Sequence, residues 1–166
     1  MSAARRVLLF GGMALAIWGM AYGLWYAVFA EHQVLNGIGA SLAGAFTGAA
    51  QANQAVVDSS LQQYKQAKYV YDRQVDVHSH WIGLAMLLII MGFCIDHASF
   101  RAKWKTLVAW GALLGAVLFP LGVLLQTFSH GEGPRAVAIA GSGIEIACLF
   151  LFAFGFLRKQ PHSSER

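Results

Sequence analysis

The chain has 166 residues, 57% of them hydrophobic and 12% charged, with a net charge of +4; soluble domains carry about 25% charge. That composition describes an integral membrane protein with room for one small helical bundle and no second domain. Its Lys and Arg residues sit beside apolar runs, as membrane topology requires, which leaves no case for a nucleic-acid partner.

Arg5-Arg6 precedes an apolar run from Val7 to Ala30, with Trp18, Tyr22, Trp25 and Tyr26 toward its far end. This predicts a first span over 7–30 with an aromatic belt. Val28-Phe29-Ala30 resembles a signal cleavage site, but the run exceeds the ~7–15 residues of a signal h-region, so an uncleaved anchor is expected.

Val34 to Ala50 is rich in Gly and Ala, whereas Gln51 to Asp76 carries Gln, Asn, Lys and Asp. Beneath that polarity runs a stripe of Phe46, Ala50, Val57, Leu61, Tyr64, Ala67, Tyr71 and Val75, with Ala50, Val57, Tyr64 and Tyr71 at heptad spacing. No proline interrupts it. The pattern predicts one long amphipathic helix over 40–76, outside the bilayer or along its surface, its apolar face against the bundle or a partner subunit.

Three further spans are predicted at 79–96, 106–127 and 136–157. Pro120 should kink the third and free a backbone carbonyl. Cys94 and Cys148 fall inside apolar runs, where a thiol packs as a small hydrophobe. The fold class is thus all-α: an integral membrane four-helix bundle with an additional long extracytoplasmic amphipathic helix. With both termini cytoplasmic, Arg5, Arg6, Arg101, Lys103, Lys105, Arg158, Lys159 and Arg166 lie inside and only Lys65, Lys68, Arg73 and Arg135 outside. This satisfies the positive-inside rule and suits a bacterial inner membrane. Counting 34–50 as a fifth span would place the basic 101–105 loop outside.

The same topology gathers His32, His78, His80 and His130 at the outer side. Imidazole ligates haem iron and copper alike, and two histidines opening an apolar helix are hard to explain as packing. Successive helical residues turn by about 100°, so His78 and His80 point to nearly opposite faces. Either one ligates while the other caps or contacts a second site, or the first turn unwinds and both reach one ion. A copper site would want His32 or His130 as a third ligand and Asp76 behind them; a haem would take one imidazole here and its opposite ligand from His32 or His130. Arg73 and Arg135 could pair with haem propionates; interface snorkelling accounts for each as well. Trp81, Trp104 and Trp110 need no role beyond anchoring at the membrane surface.

Glu145 falls about 15 Å into the last span, near the bilayer midplane, where an unpaired charge costs several kcal/mol. Two readings are open: a protonated acid bonded to Gln126 or to the carbonyl freed by Pro120, or a proton-transfer group coupled to a redox centre or a quinol. Gly141-Ser142-Gly143 permits close approach of a helix or a flat macrocycle.

His78-Ser79-His80 with Gly83 soon after, followed by two apolar spans of which the last is Gly-rich, resembles the small four-helix membrane proteins related to haem-copper oxidase subunit I. The likeness covers 75–157 and implies that such histidines ligate haem. Two departures stand against it: Glu145 where a histidine belongs, and the 31–77 insertion. The function expected is a haem b (or metal) binding membrane protein passing electrons within a respiratory complex. A non-redox accessory or assembly subunit and a copper-binding protein are the alternatives. Lipid, other membrane subunits or further copies of the chain, and a quinol are the partners that fit.

Overall fold

No proline occurs before Pro120, and small or apolar residues recur every three or four positions, so the first half of the chain has little to stop a helix. The structure, a computed structural model, describes residues 1–129 and 131–157. It comprises α1 (Ala3–Trp25), one π-helical turn (Tyr26–Ala30), α2 (Glu31–Ala50), α3 (Gln54–Cys94), a 3₁₀ turn (Ile95–His97), α4 (Ala102–Leu125) and α5 (Glu132–Leu157). Among the described residues four helices are long and apolar enough to cross a membrane: 3–50, 54–97, α4 and α5. A lipid bilayer is the environment they suit.

Two antiparallel pairs organise the bundle. The continuous α1–α2 helix lies along α3, α4 lies along α5, and α4 also packs on α1 and α3. On α3 a heptad seam runs through Val57, Ser60, Tyr64, Ala67, Tyr71, Gln74, His78, Trp81, Ala85, Leu88 and Gly92, and on to Ile95 of the 3₁₀ turn, all buried or half-buried. A 3.5-residue repeat of this kind keeps one face on its partner over many turns. Across it stand Leu8, Gly12, Leu15 and Gly19 of α1 and Ser41 and Gly48 of α2, likewise buried. One residue more than two heptads separates Tyr26 from Ser41 on that side, and the π turn absorbs the extra residue, so the buried face stays on α3.

The amphipathic segment 40–76 is not a separate helix. Its first part ends α2, its last part opens α3, and Gln51-Ala52-Asn53 folds the chain back between them. Proline is not the only breaker: the Asn53 side chain accepts from the Val56 amide (3.3 Å) as an N-cap, and Ala52 takes a left-handed φ of 51°. Only part of the anticipated stripe is covered, and that part is half-buried. Val57, Tyr64, Ala67 and Tyr71 face α2, whereas Phe46, Ala50, Leu61 and Val75 are exposed.

His80 packs on Phe119 of α4, and Trp18 and Trp81 lie level with Leu121 and Leu124. The α4–α5 turn therefore ends the bundle near Tyr22–Tyr26. Beyond it α2 packs mainly on α3 and the π turn. The two helices form an arm about 30 Å long, at 1.5 Å per residue over the 20 residues of α2. At the opposite end Asp96 ties the starts of α1 and α4 together: Ser2 Oγ donates to its carboxylate at 2.5 Å, Lys105 Nζ to its carbonyl at 2.7 Å, and Arg5 lies at 3.8 Å.

Candidate functional site

His78 occupies a seam position of α3 and therefore faces α1. There Gly19 and Gly23 leave room for its ring: a Cβ at Gly23 would collide with the imidazole, and Nδ1 lies 2.9 Å from the Gly19 carbonyl oxygen. His80, two residues on, faces α4 instead. Its ring meets Phe119 edge-on at 4.7 Å, and Nδ1 lies 2.6 Å from the Asp76 carbonyl oxygen of its own helix. A carbonyl oxygen only accepts, so Nδ1 donates in both histidines, and in the neutral ring each Nε2 then carries the lone pair.

His32 is exposed on α2, nine residues past Gly23 and so about 13 Å farther along the axis. His130 lies outside the described residues. The expected convergence of His32, His78 and His80 is thus not what the fold produces, because one helix turn sends the two α3 imidazoles to different neighbours and the arm carries His32 away. Among the described residues no three His, Cys, Asp or Glu side chains come together as a metal site. The first turn of the span is not unwound either, since α3 is regular through His78 and His80.

Arg73 is engaged locally, with Nη1 3.4 Å from Asp76 and the guanidinium 5.2 Å from the Tyr69 ring centre. Arg135 is exposed in the first turn of α5. Neither reaches His78 or His80 through a recorded bond.

Glu145 is 4% exposed in the α4–α5 interface. Its Oε2 lies 3.0 Å from where a Cβ at Gly115 would stand, and neither carboxylate oxygen has a hydrogen-bond partner. The expected bond to Gln126 is not formed: Gln126 Nε2 turns back to the Gly122 carbonyl of its own helix (3.3 Å), seven residues past Gly115. Pro120 is buried within a continuous α4. Around Glu145 the interface is built of small residues, with Cys148 against Gly111, Ala138 against Gly122 and Gly141 against the Phe119 backbone. Gly141 thus serves helix packing, and Gly143 meets nothing within 4 Å.

The group that sequence reasoning missed is aromatic. Trp81 is a 3% exposed core residue, not a surface anchor, with Trp18 and Tyr22 edge-on to it at 5.9 and 5.2 Å. The Trp81 Nε1 and the Tyr22 hydroxyl are both buried without a hydrogen-bond partner. The signal was present: Trp81 continues the seam of Val57, Tyr64 and Tyr71 at the second heptad position, so it had to face α1. Trp104 and Trp110 are more than half exposed, as membrane-surface anchors would be.

The chain matches no family model, and neither a curated protein nor a solved structure is similar to it.

Proposed function

We propose that the protein is an accessory subunit of a membrane complex, whose bundle anchors the α2–α3 arm as a docking surface for another subunit. The observation that carries this reading is the chemistry of the arm's two outer faces. From Gln33 to Ala50 the sequence holds no charged residue, and Leu35, Leu42 and Phe46 are exposed along α2. The outer face of α3 carries Asp58, Gln62, Lys65, Lys68 and Asp72. An apolar face held clear of the bundle and backed by a hydrated one suits a lateral partner.

In this reading the membrane is the bacterial inner membrane, the termini are cytoplasmic and the arm is extracytoplasmic. Arg5, Arg6, Arg101, Lys103 and Lys105 gather at the terminal end of the bundle, in support of that orientation. A photocrosslinking residue placed at Leu42 or Phe46 in cells is expected to give one protein adduct of fixed mass, and at Gln62 or Lys65 none. Adducts from the α3 positions alone would overturn the assignment, and an adduct at twice the chain mass would make the partner a second copy.

A second reading, a haem b or a copper ion held by a single imidazole, is favoured by the free Nε2 of His78 and His80. His80 is the better placed, since its Nδ1 bond is to its own helix and need not break when α1 moves. A haem would supply one-electron transfer, and the role of these residues would be to fix the ligating tautomer. On this reading the reduced-minus-oxidised spectrum shows split α/β bands that vanish in His80→Ala and persist in His78→Ala. A featureless spectrum with no copper by metal analysis removes it.

A further inference from the structure

The continuous α1–α2 helix carries a second heptad seam on its flank away from α3. In α1 it runs through Phe10, Met13, Ile17, Met20 and Leu24, at alternating intervals of three and four residues. In α2 Leu35, Gly39, Leu42 and Phe46 repeat the same intervals. Every one of these residues is exposed, the side chains from 36% at Leu42 to 76% at Phe46. Leu24 and Gly39 are separated by one residue more than two heptads, as Tyr26 and Ser41 are on the inner side. The π turn that keeps the inner seam on α3 therefore keeps the outer one in line as well.

Within α1 lipid covers such a seam as well as protein does. Along α2 it does not, because the arm stands beyond the end of the bundle and the same apolar repeat continues there. Single exposed hydrophobics are ordinary, but a sustained 3.5-residue repeat is how one helix holds a second along its length. The occupant is thus an α-helix. From Phe10 to Phe46 the seam extends about 54 Å at 1.5 Å per residue, against a hydrocarbon core of about 30 Å. A helix that covers it must cross the bilayer and stand out on the same side as one rod. Among the described residues 3–50 and 54–97 are helices of that kind, and the seam of the second is already filled.

Charge decides between a foreign helix and a second copy. Residues that flank a coiled-coil seam select a foreign partner through opposite charges, and here the flanking Asn36, Ile38, Ala43 and Ala45 carry none. Copies inserted in one orientation pack parallel, and a two-fold axis along the membrane normal sets each seam residue on its own counterpart. Such a pairing brings like charges together wherever the seam is charged. From Val7 to Ala50 the one charged side chain is Glu31, which is not a seam residue.

We propose that the outer seam of α1–α2 binds a second copy of the chain, the two helices forming a parallel coiled coil from Phe10 to Phe46. This rests on the reading of the arm as a docking surface and names its partner.

The test is oxidative cross-linking of single cysteines in native membranes, with Cys94 and Cys148 first replaced by alanine. Leu35→Cys, Leu42→Cys and Phe46→Cys are expected to give a disulfide-linked species of twice the chain mass. Ala40→Cys and Thr47→Cys, exposed on the same helix but off the seam, should give none. Leu42→Lys combined with Phe46→Lys should halve the protein mass found by light scattering in detergent, with helicity by circular dichroism unchanged because both sites are exposed. Equal cross-linking on and off the seam, or a wild-type mass of one chain, overturns the second-copy assignment. A photo-adduct of fixed mass from Leu42 other than twice the chain also overturns it, while leaving the arm a docking surface for a different subunit. No adduct of any mass removes both.

Discussion

Gly141→Ala is expected to destabilise the bundle by about 2–3 kcal/mol, the upper part of the range for overpacked cores, while Gly143→Ala two residues away should be neutral or slightly stabilising. The Cβ added at Gly141 would press on the Phe119 amide nitrogen and stand 2.8 Å from the Leu118 carbonyl carbon. Backbone cannot swing aside as a side chain does, so α4 and α5 must separate. That separation also breaks the contacts of Gly115 with Glu145 and of Gly122 with Ala138 on the same face. At Gly143 nothing lies within 4 Å, and replacing glycine inside a helix gains roughly 0.5–1 kcal/mol. Thermal unfolding followed by circular dichroism in one detergent would read both. Equal melting points for the two variants would mean that α4 and α5 do not cross at Gly141.

This contrast shows what the sequence could carry and what it could not. Gly-Ser-Gly in an apolar helix announces close packing, but only the register of α4 against α5 decides which glycine is in contact. The histidines repeat the lesson. A helical turn of about 100° per residue already sets His78 and His80 on opposite faces, and α3 keeps them so. Which helix each faces depends on the heptad seam, which continues from Val57, Tyr64 and Tyr71 through His78 to Trp81 and so sets Trp81 in the core.

The spans themselves were legible because hydropathy marks where a helix crosses hydrocarbon. It does not mark where the helix starts. The second span was expected from residue 79, and α3 begins at Gln54, because a polar continuation costs a helix nothing in water. The reversal at 51–53 was invisible for a related reason: it rests on one Asn cap and one left-handed Ala, neither a strong breaker in isolation.

Glu145→Leu is expected to stabilise the protein by roughly 1–3 kcal/mol, the scale set for an unsatisfied polar group and for a carboxyl deep in a bilayer. Leu is one atom shorter than Glu but branched and at least as bulky, so it fills most of the space against Gly115 and leaves little cavity. It removes two oxygens that are buried and bonded to nothing. Glu145→Gln should gain less, because the amide keeps two polar atoms in the same place. Glu145→Ala should lose stability, because the cavity it leaves beside Cys148 and Gly115 forfeits packing. The order Leu above Gln above wild type above Ala, read as melting points in nanodiscs, separates an orphan carboxyl from one with a partner. If Leu melts below wild type, the carboxyl is bonded in the membrane, and the α4–α5 face holds an acceptor for its proton. If the order holds, the residue is retained against its effect on stability. An acid that lowers the stability of the bundle is one that folding alone does not explain.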